Sequence, residues 1–371
     1  MDTGLYIHIP FCKSKCHYCD FCSFTNADKD LIERYVDELC RRAENWESRL
    51  AARKIDTVYL GGGTPTLLSP DQAKKLMSQV FECFDVLPDA EITVECNPAT
   101  ADEKSLAVWR ELGVNRLSIG VQSAVDTELR LLGRIHKFED AAKTVSMARA
   151  AGIDNINIDL MIGIPEQTGD SLEYTLDKYV ELDCKHISAY CLSVEEGTRF
   201  YKNRHKLNIA DADTVADMYT QVSDKLTASG YEHYEISNFA RSGYRSRHNT
   251  HTWQCREYLG LGVAAYSYFD GERFGNSRDM DAFLRGEDIV CESYRPDRAE
   301  RMEEYIMLGL RLREGIDICE FNRTFDCDLE KIYGEKCKPY IEKGYLRRAD
   351  GRLFMTRQGW QVSNAILADI L

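Results

Sequence analysis

Short apolar runs recur through the first half of the chain, with amphipathic stretches between them: LYIHI at 5–9, TVYLGG at 57–62, EITVEC at 91–96, RLSIGV at 116–121, NINIDLMIG at 155–163 and HISAYCL at 186–192. Each run is rich in β-branched, leucine or aromatic residues and is bounded by Gly, Pro or Asn, as buried strands are. Helices are predicted between them over 31–50, 70–84 and 140–151; Ser69 before Pro70, and Asp102 before a further apolar-periodic run, are start signals. This alternation predicts an α/β fold, a parallel sheet with crossover helices that is either open or closed into a complete or partial (β/α) barrel. Polar and glycine residues gather at the C-terminal ends of the strands, where both architectures build their sites.

From about residue 295 the pattern changes. RPDRAERMEEYIMLGLRLREG at 295–315 predicts a long amphipathic helix ending near Gly315, and LEKIYGEKCKPYIEKGYL at 329–346 a shorter helical segment interrupted by Pro339. Asp350-Gly351 marks a hairpin in YLRRADGRLFMT, followed by a last helix opened by Thr356. Helices, a hairpin and a helix resemble a winged-helix module, so the expected division is a large domain over 1–285 and a smaller helical, winged-helix-like domain over 286–371. A length of 371 residues suits that unequal split.

Composition narrows the function. Hydrophobic residues at 44% and charged residues at 29% exclude wholesale disorder. The start, MDTGLYIHIPFC, lacks the basic and apolar regions of a secretory leader, and no stretch reaches the length of a membrane span, so a cytoplasmic location is expected. Cysteines there stay largely reduced, so a cluster among the fourteen present reads as metal-binding or redox-active rather than as a disulfide framework. A net charge of -14 argues against nucleic acid as a partner, because nonspecific affinity for it comes from cations neutralising phosphates.

The cluster is CKSKCHYC at 12–19, in which Cys12, Cys16 and Cys19 follow a predicted strand with spacing C-x3-C-x2-C. Four thiolates would saturate a structural zinc or an iron–sulfur cluster; three leave one metal position open to a substrate. Cys22 could complete a zinc site, so a [4Fe-4S] cluster, zinc and incidental buried thiols are the readings that spacing leaves open. Next comes GGGTPT at 61–66, directly after a strand and matching neither common phosphate-binding glycine pattern. Glycines there would let a ligand approach the backbone and leave N–H groups free to meet a carboxylate or amine, with a plain tight turn as the alternative. Glu95, Gln122, Arg134 and Asp159 stand at later strand ends, and each by itself could be a cap or a salt-bridge member.

The cysteine spacing with Tyr18 before the third cysteine resembles the radical SAM superfamily signature, and the strand–helix alternation resembles that superfamily's barrel. The resemblance implies a [4Fe-4S] cluster whose open iron chelates S-adenosylmethionine (SAM). A wider set of phrases is similar to the oxygen-independent coproporphyrinogen III oxidase group: IHIPFCKSKCHYCDF, YLGGGTPTLL, VECNP, RLSIGVQS, LGRIH, INIDLMIGIPEQT, YEISNFA and YLGLGVAAYS, reaching to residue 267. By that resemblance Tyr6, Tyr18, Gly62, Gly63, Thr64 and Glu95 contact SAM, and Gln122, Arg134 and Asp159 match residues that line a second SAM position in the decarboxylase.

Two branches of the group compete. One is the decarboxylase, which converts coproporphyrinogen III to protoporphyrinogen IX; the other is the heme-chaperone branch, HemW, which binds heme and delivers it to acceptor proteins. The decarboxylase carries a further cysteine two residues after the third, where Phe21 stands here, and a long segment ahead of its cysteine loop, where this chain has only residues 1–11. RHNTHTW at 247–253 matches the chaperones' H-N-x-x-Y-W motif at His248, Asn249 and Trp253, with Thr252 in the tyrosine's place. These features imply the chaperone, with His248 as the heme ligand and His251 as the alternative. They also imply heme, heme-accepting proteins and an electron donor such as a flavodoxin or ferredoxin as partners. Whether SAM is cleaved, and whether the protein forms a homodimer, stay open.

Overall fold

The computed structural model of the protein describes residues 2–371. Six parallel strands run side by side in chain order: β1 (Asp2–Ile9), β2 (Lys54–Gly62), β3 (Val86–Cys96), β4 (Arg116–Gln122), β5 (Asn155–Ile162) and β6 (His186–Cys191). Helices cross over between them: α1 (Lys29–Leu50), α2 (Pro70–Cys83), α3 (Glu103–Glu111), α4 (Asp126–Leu131), α5 (Phe138–Ala150) and α6 (Gly169–Leu182). The start signals act as expected. Ser69 and Asp102 each accept a hydrogen bond from the backbone N–H three residues on, at Gln72 and Ser105, and close capping boxes.

After α7 (Arg199–Lys202) and α8 (Ala212–Ala228), strands β7 (Glu232–Glu235) and β8 (Asn238–Ala240) fold antiparallel onto β6. A short helix, α9 (Arg247–Trp253), leads to β9 (Tyr258–Leu261), which pairs parallel to β1 from the other side. Then β10 (Tyr266–Phe269), β11 (Glu272–Asn276), α10 (Met280–Leu284) and β12 (Val290–Tyr294) extend that edge, giving a twelve-stranded sheet. The parallel part curves as an open, partial barrel. β12 lies past the division expected after residue 285 and still pairs with β11.

Residues alternate across the parallel strands, with register shifts at Thr3/Gly4, Ile55/Thr57 and Ile119/Gln122. Leu5, Ile7, Ile9, Val58, Leu60, Ile92, Val94, Leu117, Ile119, Ile156 and Ile158 are almost fully buried in one cluster with apolar residues of the helices, such as Tyr35, Leu39, Met77 and Leu172. Their neighbours in sequence face inward. The helices therefore take up the apolar half of each strand and leave the other half to line the interior.

The remaining elements form a second core: α11 (Arg298–Gly309), β13 (Ile316–Asp317), α12 (Ile318–Phe325), α13 (Leu329–Glu342), β14 (Leu346–Ala349), β15 (Arg352–Met355), α14 (Arg357–Gln361) and α15 (Ser363–Ile370). Met302, Ile306, Phe321, Leu329, Leu353 and Trp360 fill it. The hairpin turn at Asp350-Gly351 has left-handed φ values of 51° and 74°, as a two-residue hairpin demands. Three expectations need correction. The helix predicted to reach Gly315 stops at Gly309, because the chain turns there so that Leu312 can pair with Glu235 of β7. Pro339 does not interrupt α13, which continues through it to Glu342; the proline forfeits the one ladder bond that its N–H would have made to the Glu335 carbonyl. The last helix is two, broken at Val362.

Candidate functional site

The loop after β1 is tied at its base, where Cys12 N donates to Phe24 O at 3.0 Å and Phe24 N to Pro10 O at 2.6 Å. His8, on the inner face of β1, holds it from below. Its Nε2 lies 2.9 Å from the Cys22 carbonyl, which can only accept, so Nε2 carries the proton and Nδ1 accepts from the Tyr6 hydroxyl at 3.0 Å. Cys12, Cys16 and Cys19 face a cavity of about 570 Å³ inside the partial barrel. Cys22 does not line it; it packs into the apolar core instead. Among the described residues no three His, Cys, Asp or Glu side chains converge to hold a single metal ion. Mononuclear zinc needs such convergence, whereas a polynuclear cluster gives each thiolate its own iron. Burial raises the thiols of Cys12 and Cys19, the latter to about 11, so metal would have to displace their protons. Arg134 Nη1 donates to Cys16 Sγ at 3.3 Å and Thr64 Oγ1 to Cys12 Sγ at 3.7 Å.

The glycine loop departs from expectation in how its N–H groups are used. Gly62 N donates to Glu95 Oε2 at 3.0 Å, Gly63 N to Ile9 O at 2.9 Å and Thr64 N to Phe11 O at 2.8 Å, so these three N–H groups are engaged within the protein rather than free for a ligand. The glycines are required by packing as well. A Cβ on Gly63 would lie 2.6 Å from Phe11 O and 2.7 Å from Ile9 O, and Gly62, at φ +101°, lies against the His8 ring. The loop clamps the cysteine loop to the strand ends, and its side of the cavity is Gly62, Gly63 and Thr64.

Two acids and two arginines line the cavity beside and beyond it. Glu95 accepts from the Tyr59 hydroxyl at 2.8 Å as well as from Gly62, yet burial pushes its carboxyl up to about 7. Burial likewise raises Asp159 to about 6, against a hydrogen bond from Asn157 Nδ2 at 2.8 Å and the charge of Arg134. The Nε groups of Arg116 and Arg134 are buried without a hydrogen-bond partner. Gln122 ends β4 at φ 77°, a left-handed conformation uncommon for glutamine and of the kind found at binding sites.

Eleven of the thirteen residues singled out from sequence line this one cavity: the three cysteines, Tyr18, Gly62, Gly63, Thr64, Glu95, Gln122, Arg134 and Asp159. Tyr6 and His248 do not. Both stack on the cavity-lining Tyr59, with ring centroids 6.1 Å and 5.1 Å from its own. His248 belongs to α9, whose first N–H groups, at Arg247 and His248, donate to the Glu91 carboxylate. His251 points away, toward Asp56 and Arg256. Tyr59, Arg116, Ser118, Asn157, Ser188 and Tyr190 line the cavity and were not anticipated. Their signal is the alternation itself: a parallel strand covered on both faces is apolar throughout, whereas β3 to β6 carry a polar residue at nearly every inward position, that is, at every second residue.

The radical SAM superfamily model matches residues 6–179, and the HemN C-terminal domain model matches 297–362. The solved structure of Escherichia coli coproporphyrinogen III oxidase, HemN, a radical SAM enzyme, superposes with a TM-score of 0.87 over 100% of this chain and 90% of that one, at 24% identity, a likeness of fold. The heme chaperone HemW of Bacillus subtilis is 35% identical, with 99% of this chain and 98% of that protein aligned. HemW of Lactococcus lactis is 33% identical over 100% and 97%, and that of E. coli 34% over 98% and 97%. The chain belongs to the HemW heme-chaperone family. As a HemW-family chain within the radical SAM superfamily, it has the open α/β barrel and helical C-terminal part that its motifs implied. Phe21, where the decarboxylase group carries its further cysteine, is 68% exposed on the cavity rim. Among the described residues no helix is long and apolar enough to cross a membrane.

Proposed function

We propose that this HemW-family protein holds a [4Fe-4S] cluster on Cys12, Cys16 and Cys19, binds SAM beside it, and carries heme to acceptor proteins without decarboxylating coproporphyrinogen III. The observation that carries the reading is the shared cavity of the three thiols, the glycine loop, Glu95, Arg134 and Asp159, on a chain aligned end to end with heme chaperones. The donor set fits both cofactors. Three thiols leave one iron open, SAM's carboxylate has the guanidinium groups of Arg116 and Arg134 to meet, each with an Nε that lacks a partner, and its ribose hydroxyls and cationic centres suit the buried acids Glu95 and Asp159. When bound, the pair supplies one-electron chemistry at low potential. The protein's part is to hold Glu95 through Tyr59 and Gly62, Asp159 through Asn157, and the Cys16 sulfur through Arg134.

His248 suits heme iron in chemistry. Burial lowers its imidazole to about 3, keeping it neutral as a ligand must be, and Nδ1 lies 2.9 Å from the Thr57 hydroxyl, which leaves Nε2 as the donor. In this conformation, however, His248 does not line the cavity of the three thiols.

Anaerobic reconstitution tests the cluster: iron and sulfide should load the wild type and fall to background in a Cys12→Ala/Cys16→Ala/Cys19→Ala variant. Hemin titration of the same protein should give a saturable Soret band. Incubation with SAM, reductant and coproporphyrinogen III should leave protoporphyrin at background, and robust product would restore the decarboxylase reading.

A further inference from the structure

Arg116 opens β4 and is only 2% exposed, yet among the described residues its guanidinium group makes no hydrogen bond and no ion pair. Thr93 on β3 and Asn155 on β5 stand level with it, and their Oγ1 and Oδ1 atoms are likewise buried without a partner. Arg116 lines the cavity of the three thiols, and its row forms the floor, one side-chain layer beneath Glu95 and Ser118. A guanidinium group buried that deeply is costly unless it meets an anion. Glu95 and Asp159 offset its charge only in part, since neither is paired with it and burial raises both, to about 7 and about 6. Asn249 of α9 also lines the cavity, and its side-chain amide makes no hydrogen bond among the described residues. It follows His248 in the stretch that matches the chaperones' motif. Arg134 is fixed at the other end of the cavity, where it donates to Cys16 Sγ at 3.3 Å and to the Gly120 carbonyl. Gly120 lies further along β4, about 13 Å from Arg116 at the rise of a parallel strand. A SAM carboxylate held by Arg134 beside the thiols therefore leaves Arg116 still in need of an anion.

We propose that Arg116 and Asn249 form a second carboxylate site, distinct from that of SAM, which anchors a propionate of the heme at the cavity floor. The proposal rests on the heme-carrying reading above. A guanidinium fork pairs bidentately with a carboxylate, and the Asn249 amide adds a further donor. Above the floor, Tyr18, Tyr190, Met161 and Leu192 give the cavity an aromatic and apolar wall for a flat macrocycle, Tyr190 with 43% of its surface exposed. Esterified propionates carry no charge, so they would leave Arg116 as uncompensated as it is in the free protein.

The probes are hemin and hemin dimethyl ester, titrated by Soret absorbance into the iron-free full-length protein. The wild type should bind the free acid at least about tenfold more tightly than the ester, the scale of a hydrogen bond to a charged group. Arg116→Gln should bind the acid no better than the ester, with its ester affinity equal to that of the wild type, and Asn249→Ala should lose part of the preference. After cluster reconstitution, the SAM affinity of Arg116→Gln, read by equilibrium dialysis, should equal that of the wild type. Urea unfolding of the iron-free variant should need no less denaturant, because the substitution removes a buried charge that has no partner. A wild type that binds acid and ester equally overturns the proposal, as does either variant keeping the full preference. Loss of SAM affinity in Arg116→Gln would give Arg116 to SAM, and a marked fall in its stability would make it the counter-ion of Glu95 and Asp159; each result overturns the proposal. A wild type that binds neither hemin nor its ester sinks the heme reading itself, and the proposal with it.

Discussion

At the scale of single residues, the site was legible where a residue sits in a distinctive phrase and silent where it does not. The three cysteines, the glycine loop and Glu95 announce themselves, because three thiols in one turn and three consecutive glycines have few structural uses. Arg116, Ser118 and Asn157 do not, because one polar residue in a strand is chemically ambiguous until strand pairing sets it beside Glu95 and Asp159. Phe21 was informative as a departure from a pattern, which only comparison with that pattern can expose. Glu95 offers the sharpest residue-level test. Burial holds its carboxyl near 7, and ribose hydroxyls donate better to the ionised form. SAM affinity should therefore rise as pH increases from 6 to 8. Glu95→Gln should weaken SAM binding about tenfold at pH 8, on the scale of a hydrogen bond to a charged group, and remove that pH dependence. Equilibrium dialysis at several pH values would show it, and a glutamine variant with the wild-type profile would take Glu95 out of the site.

At the scale of elements, the six parallel strands and their crossover helices were legible because each strand's apolar half repeats with a period of two and each helix has its cap. The antiparallel extension from β9 to β12 was not, since its strands are only four or five residues long and carry exposed aromatic and charged residues. The glycine loop shows what an element can conceal. Its pattern suggested N–H groups turned to a ligand, yet they join β1, β2 and β3 to one another, so the loop positions the cysteines. Two substitutions separate these roles. Gly63→Ala forces a Cβ onto backbone atoms of Ile9 and Phe11 that have no freedom to move, and should destabilise the protein by about 2–3 kcal/mol. A Cβ on Gly61 meets the side chains of Tyr59 and Glu95 at 2.8 and 2.9 Å, which can shift. Gly61→Ala should cost about 1 kcal/mol or less and act mainly on SAM affinity. Urea denaturation of the iron-free proteins beside SAM titration distinguishes them, and equal stability losses would contradict this division.

At the scale of the whole molecule, the C-terminal part is joined to the barrel through β7. Arg313 N donates to Tyr234 O and Ile236 N to Arg311 O, each at 3.0 Å, and Trp360 packs on His233 with ring centroids 4.8 Å apart. Fully buried at this junction is Glu235, both of whose carboxyl oxygens lack a hydrogen-bond partner. Burial raises it to about 7, with Ser237, Asn238, Arg311 and Trp253 pulling only partly back. Nothing local in YEISNFA foretells this, because the burial exists only once the two parts meet. Since the folded value lies above the ordinary carboxyl value, the group's contribution to stability is fully present below about pH 4.5 and is lost as pH rises through about 7. A glutamine of the same shape does not ionise, so Glu235→Gln should match the wild type near pH 4.5 and exceed it at pH 8, by on the order of 2–3 kcal/mol. Glu95 and Asp159 are raised in the same way, so the Glu235→Gln protein should still lose stability as pH rises, but along a shallower slope than the wild type. Urea unfolding of both iron-free proteins from pH 4.5 to 8.5 measures the two slopes. Superimposable profiles would mean that the junction solvates Glu235 after all, and that the two parts meet less tightly than their backbone hydrogen bonds imply.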